Sequence, residues 1–338
     1  MSIFFFIFFF ISSLLFIYLC RKFDLLIDYK LEKHKRYSSK IKSNSIGGII
    51  LGSFFICQFT YYSEYYLLFF LVLIFLIGFL SDIKILNNVG LRFGLQIVII
   101  ILFTLLLDYK IVETRIDVFD QMLNYNFFNV IFVTFCLMVL INGANFIDGL
   151  NSLLIGYFLI IYFIILTRFG NFVNIDTALL INLIIILSFL LIINLSGFVY
   201  MGDSGAYLLA VFTGIFLINF STQNFFISPY LIIVLLWYPC FELLFSMVRR
   251  FKNKSKAYKP DVSHLHQLVY LFYKNKFKIQ NAQIIHFISS FSINFYNFFI
   301  LIYATKFVYD SKFLILLLLT NIAVYLSFYF FLKKQIKN

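Results

Sequence analysis

The stretch YYLLFFLVLIFLIGFLSDIK, residues 65–84, is apolar from Tyr65 to Leu80 and then stops on Ser81 and Asp82. An uncharged run of that length is read as a helix crossing a bilayer. The aspartate at its end raises a second question, because a carboxylate at membrane depth is costly and is a functional hypothesis by default. Working outward, comparable runs fall at 3–20, 46–62, 65–81, 90–107, 127–143, 149–166, 177–194, 205–220, 229–248, 284–304 and 313–332. With 62% hydrophobic and 12% charged residues in 338, a soluble fold could not shield the apolar surface. The expected fold is therefore all-α: a polytopic integral membrane protein of about eleven transmembrane helices, forming one membrane-embedded domain over residues 1–338. The first run lacks a basic residue before it and a small-residue cleavage pattern after it, so it reads as an uncleaved span. Cys20, Cys57, Cys136 and Cys240 lie far apart in apolar stretches and imply neither disulfides nor a metal site.

The basic residues choose the sides. If loop 21–45 is cytoplasmic, twenty-two of the twenty-seven Lys and Arg fall on that side, in 21–45, 82–92, 249–283 and the tail. Only Lys110, Arg115, Arg168, Lys306 and Lys312 fall opposite, which places the N-terminus outside and the C-terminus in the cytoplasm. The net charge of +12 is then a topology signal with some attraction to anionic head groups, and nucleic acid need not be a partner.

Most acidic residues fall in external loops or among lysines, with Asp24, Asp28 and Glu32 in the first cytoplasmic loop. Asp82, Asp148 and Asp203 differ: each lies at the cytoplasmic mouth of a span, beside Gly or Asn, so a shared site is expected. Asp261 joins that side in the large basic loop. In INGANFIDGLNSL (141–153), Asn142, Asn145 and Asp148 are spaced i, i+3, i+6, one stripe if the helix continues that far. In GFVYMGDSGAYLLA (197–210), the Gly-Asp-Ser-Gly turn opens a helix whose first N–H groups can face an anion. Mg²⁺ takes one or two carboxylates and completes its shell with water and phosphate, so Asp203 and a partner would suffice. In KPDVSHLHQL (259–268), His264 and His266 stand among basic residues; a zinc site needs a third ligand, and none is nearby in the sequence. WYPCFE (237–242) predicts a kink at Pro239, with Glu242 facing inward.

In order, these motifs resemble those of the polyprenyl-phosphate N-acetylhexosamine-1-phosphate transferases, over roughly residues 36–270. That family includes initiating enzymes of O-antigen and enterobacterial-antigen synthesis and, more distantly, the lipid I synthase. GFLSDIKILNNVGLRFGLQ (78–96) is similar to the family's Gly-Phe-x-Asp-Asp segment, with Asp82 at the second Asp and Arg92 downstream. NGANFIDGLNSL resembles Asn-x-x-Asn-x-x-Asp-Gly-x-Asp-Gly-Leu, and GFVYMGDSGAYLLA resembles the segment whose Asp, here Asp203, is used for Mg²⁺. PCFE and the loop to HLHQL resemble a bent ninth helix and a His-Leu-His-His loop. The chain departs from the pattern at Ser81, Asn151, Ser152 and Gln267, and at Lys40 in RYSSKIKSNSIGG (36–48), where Ser also replaces both prolines.

The resemblance implies transfer of a sugar-1-phosphate from a UDP-sugar, an N-acetylhexosamine type, to undecaprenyl phosphate at a bacterial inner membrane, with release of UMP. It implies Mg²⁺, with Mn²⁺ as an alternative, on Asp203 and Asp82, and catalytic roles for Asp82, Asp148 and Asp203. Asn142, Asn145, Arg92, His264 and His266 would bind substrate, on a cytoplasmic face made by 21–45, 82–92, 142–148, 195–204 and 249–283. A homodimer is compatible with this reading. Two rivals are a multi-span transporter with a rim acidic site and a non-catalytic lipid-phosphate-binding relative, the latter suggested by Ser81.

Overall fold

The computed structural model describes residues 2–26, 44–172, 176–252 and 263–337. Asp28, Glu32, Lys40 and Asp261 lie outside the described residues. The elements are α1 (Ile3–Lys22), α2 (Gly47–Tyr61), α3 (Tyr65–Asp82), α4 (Val89–Leu107), α5 (Asp117–Leu123), α6 (Asn126–Ile147) and α7 (Leu153–Phe169). There follow α8 (Thr177–Leu195), α9 (Gly202–Gln223), α10 (Pro229–Leu235), α11 (Trp237–Lys252), α12 (Leu265–Phe277), α13 (Ala282–Ala304) and α14 (Ser311–Lys337). Among the described residues there is no strand. Among the described residues eight helices are long and apolar enough to cross a membrane, or nine if the bent pair α10–α11 is one span. The shorter apolar helices α2 and α7 occupy the two remaining runs read from the sequence. The sequence reading missed α5, in the polar stretch 108–126, and α12, in the basic loop, because both are short and lie among polar or basic residues.

What gathers the helices follows from the solvent. Between helices in lipid the hydrophobic effect contributes little, so close backbone approach and polar contacts decide the packing. The most enclosed of these helices is α9, with 72% of its most apolar window buried, against 22–28% for α1, α3, α4 and α14. Its first turns, GDSGA, are small enough to admit neighbours. A Cβ on Gly48 of α2 or on Gly78 of α3 would collide with Ser204, so both helices meet α9 backbone to backbone. Polar side-chain pairs fasten other contacts: Gln58 with Asn182 at 3.2 Å, Trp237 with Asn297 at 2.9 Å, and Tyr296 with Asn321 at 2.7 Å. The outward faces keep their phenylalanines, as on α13, where Phe287, Phe291, Phe295 and Phe299 recur every four residues and are exposed. That is the pattern of a helix face turned to lipid.

The expected kink is present, and its position is instructive. The chain bends 72° between α10 and α11, at Leu236, three residues before Pro239. Proline lacks an N–H and its ring clashes with the carbonyl of residue i−4, here Leu235, where α10 ends. The buried Tyr157 of α7 donates its hydroxyl to that abandoned carbonyl at 2.8 Å. On the other side of the bend, a Cβ on Gly143 of α6 would collide with the Pro239 carbonyl, so α6 and α11 touch there.

Replacing Tyr157 by Phe strands the Leu235 carbonyl in an apolar setting at a cost of about 1–3 kcal/mol. The expected outcome is a lower unfolding temperature for Y157F in detergent, and an unchanged midpoint would show that the carbonyl finds another donor.

Candidate active site at the helix ends

Four helix ends meet at one end of the bundle: the C-termini of α3 and α6 and the N-termini of α4 and α9. The starting point is Asp82, the last residue of α3. Its Oδ1 accepts the Asp203 amide at 2.8 Å, and its Oδ2 accepts the Ser204 amide at 3.1 Å and the Ser204 hydroxyl at 2.6 Å. Asp82 thus caps α9 from another helix, supplying the acceptor that the exposed first-turn amides lack and a charge that suits the helix dipole. The approach requires Gly202, which sits at φ +70° and where a Cβ would lie 2.6 Å from the Asp82 carboxylate. The anion expected at this helix start is therefore supplied by the protein itself. Both oxygens of Asp82 serve α9, which differs from the expectation of an open metal ligand.

Asp203, one residue into α9, points the other way. Its Oδ2 accepts the Ser81 hydroxyl at 2.6 Å and pairs with the Arg92 guanidinium, which also contacts Ser81. The Tyr207 hydroxyl is 3.4 Å from the same oxygen. Arg92 lies in the first turn of α4, and the buried Gln96, one turn on, lies beside the Tyr207 hydroxyl. On the far side, Asn145 Nδ2 is 3.5 Å from that hydroxyl, joining α6 to the group.

The last turn of α6 carries the sequence motif. The helix continues through Ile147 with Asp148 as its C-terminal cap residue, so Asn142, Asn145 and Asp148 do share a stripe. Asn142 Nδ2 donates to its own helix at Met138. Asp148 is half-buried, and its neighbours contact the histidine segment: the Phe146 ring meets His264 at 4.9 Å, and a Cβ on Gly149 would lie 2.6 Å from His266 Nε2. His264 and His266 stack with centroids 5.5 Å apart at 12°. Nδ1 of His264 is 2.9 Å from Oε1 of the buried Glu242, which faces inward as expected. Burial pushes the His266 imidazole down to about 3, so it stays neutral at physiological pH, and neither ring nitrogen has a hydrogen-bond partner among the described residues.

All eight residues singled out in the sequence thus lie at this end of the bundle, in two groups. Asp82, Arg92, Asp203 and Asn145 form one linked network; His264 and His266 sit on the residues either side of Asp148. Ser81, Ser204, Tyr207 and Gln96 were missed as members. Helical spacing could have found two, since Tyr207 follows Asp203 by four residues and Gln96 follows Arg92 by four. Among the described residues, no three His, Cys, Asp or Glu side chains group to enclose a metal. The donor set instead suits a hard cation held by one carboxylate and completed by water and phosphate. Asp203 is a quarter exposed, and its Oδ1 has no hydrogen bond among the described residues.

An all-helical membrane protein with carboxylates, carboxamides and a guanidinium gathered at one end of its bundle is the class that fold and site define. Within the chain, residues 65–221, a little under half of the 338, match the model of glycosyl transferase family 4. The match supports a place in the superfamily of polyprenyl-phosphate sugar-phosphate transferases, and so a glycosyl- or phosphosugar-transferase activity. It begins at α3 and ends within α9, so it spans Asp82, Arg92, Asn142, Asn145, Asp148 and Asp203 but not the histidines. A search of curated proteins returned no match.

Two outcomes follow from this geometry. Asp82→Ala removes the cap on α9 and should cost about 0.5–2 kcal/mol, read as a lowered unfolding temperature; no change would mean that α9 is held by packing alone. An unfolded histidine titrates near 6.5, well above folded His266. The unfolded chain therefore takes up a proton on this ring that the folded protein refuses. Stability should be full above that value and fall as pH drops toward about 3, with a shallower slope in His266→Gln. An identical slope in the variant would count against the buried neutral ring.

Proposed function

We propose that this protein transfers a sugar-1-phosphate from a UDP-sugar, of the N-acetylated amino-sugar type, to undecaprenyl phosphate, releasing UMP. The product is a lipid-linked diphosphate sugar that starts a cell-surface glycan. The site faces the cytoplasm of a bacterial inner membrane, where a soluble nucleotide and a lipid phosphate can meet. The observation that carries this reading is the Asp203–Arg92–Tyr207–Asn145 network at the ends of α4, α6 and α9, within the segment matching the transferase family. A transporter would place such residues near mid-span; here they end or open their helices.

The chemistry sets an anion against an anion: a lipid phosphate oxygen attacks the sugar-bearing phosphorus, and the bond to UMP breaks. Such a transfer needs charge neutralisation and in-line placement more than covalent help. Asp203 would hold Mg²⁺ (or Mn²⁺), which when bound would supply charge neutralisation for the diphosphate. Arg92, already paired with Asp203, adds a fixed positive charge beside it. Asp82 sets the orientation of Asp203 through its hold on α9. Asn142, Asn145 and Asp148 line the approach, and His264 with neutral His266 offers ring nitrogens to phosphate, uridine or sugar. A phosphate monoester with a second pKa of about 6 is largely dianionic at neutral pH, so the attacking lipid needs little help from a base.

The test is direct. Purified protein, undecaprenyl phosphate, Mg²⁺ and a panel of UDP-sugars should release UMP, and Asp203→Asn should abolish the release. Absence of UMP with every sugar, from protein that unfolds cooperatively, overturns the assignment.

A further inference from the structure

Glu242 is fully buried, stands on α11 just past the bend, and takes no part in the chemistry above. Removing a carboxylate from water at this depth is expensive unless donors satisfy it. Three donors converge on it. His264 Nδ1 at 2.9 Å and the Leu265 amide at 3.2 Å meet Oε1, and the Tyr325 hydroxyl meets Oε2 at 2.7 Å. Two of these come from the start of α12, and the third comes from α14, far along the chain. A second tie repeats the pattern two turns on. Arg249 of α11 donates to the Ser263 carbonyl at 2.7 Å and to the Tyr329 hydroxyl of α14 at 3.1 Å. Segment 263–265 is thus pinned to α11 and α14 at two points.

A structural clamp could be built from these ties without touching the imidazole. The contact with Nδ1 does something more specific. An ionised carboxylate only accepts hydrogen bonds, so it places a proton on Nδ1 and leaves Nε2 as the nitrogen facing elsewhere. Glu242 meets the ring at Nδ1 and not at Nε2, and the His264 side chain also closes a capping box with Gln267 at the start of α12. The ring is also fixed in direction, edge to Phe146 and parallel to His266.

We infer that Glu242, backed by Tyr325, is the positioning residue for His264: it sets the ring's proton on Nδ1 and its direction, so that Nε2 is presented to the phosphate-bearing substrate. This rests on the reading of His264 as a substrate-facing group. It brings α14, outside the segment that matches the family, into the working of the site.

The chain has four histidines, which makes the tautomer readable. In full-length protein labelled with ¹⁵N-histidine, in detergent, the His264 signals are assigned by their loss in His264→Asn. The expected result is a protonated Nδ1 in the wild type, and a shift toward the Nε2–H form usual in water in Glu242→Ala. In the UMP assay, Glu242→Ala and Tyr325→Phe should lower kcat by roughly 10- to 100-fold, as misplacement of a group by about 1 Å does, with little change in KM. Glu242→Gln keeps an acceptor for Nδ1–H and should recover part of that loss. If Glu242→Ala does not fold, Tyr325→Phe carries both measurements. A wild-type His264 protonated on Nε2, or variants whose kcat stays within about two-fold of wild type, overturns the inference. If the wild type releases no UMP at all, the transferase reading fails, and the tautomer measurement still decides the role of Glu242.

Discussion

The arrangement depends on one carboxylate at one helix start. Asp82 sits where two first-turn amides and a serine hydroxyl of α9 point, and α9 is the most enclosed of the long helices. An anion at that place is favoured by the amides it satisfies and by the helix dipole. Its position is enforced by Gly202, whose backbone conformation and lack of a side chain let the carboxylate approach. Gly48 and Gly78 then bring α2 and α3 onto Ser204. The same few residues that make the deepest helix contact also fix the direction in which Asp203 points. Packing and site are therefore one construction, and the polar groups at this end serve both.

The second half of the site is positioned from the bend. Pro239 ends α10, Tyr157 satisfies the carbonyl released there, and α11 leaves at a steep angle with Glu242 on its buried side. That carboxylate and Arg249 gather the start of α12 and lay the two histidines over the last turn of α6. The last turn of α6 touches both halves: Asn145 reaches toward Tyr207 and Asp203, while Phe146 and Gly149 carry the histidines. A short stretch with two asparagines, an aspartate and two glycines holds this place because Gly143 and Gly149 leave room for Pro239 and His266, and the polar residues face the site between them.

The all-helical membrane fold was legible because apolar runs of span length have a single reading in lipid: only a helix satisfies its own backbone there. The candidate carboxylates stood out because three aspartates, each beside Gly or Asn, fall at span mouths on one membrane face. The cap on α9 was not. A carboxylate that accepts amides and one that holds a cation look the same in sequence, and residues 82 and 203 meet only through the packing of α3 on α9. Tyr207 and Gln96 are marked in the sequence only by their four-residue spacing from Asp203 and Arg92. The contribution of Tyr325 was out of reach, since nothing local to α14 marks that tyrosine among so many others. The place of the bend was recoverable from Pro239 only by counting back to residue i−4.

Ser81 shows what a single departure from the resembling pattern does to the electrostatics. A second carboxylate at that position would face Asp203 at close range, and two like charges so near raise each other's cost unless a cation lies between them. The hydroxyl instead donates to Asp203 and shares Arg92 with it, so one anion is met by one cation within the protein. The Asp203–Arg92 pair is thus neutralised within the protein. Oδ2 of Asp203 is satisfied within the protein, so the other oxygen is the one that would hold the proposed divalent cation. Loss of the carboxylate therefore leaves a group in which Arg92 would carry part of the positive charge that the proposed diphosphate requires.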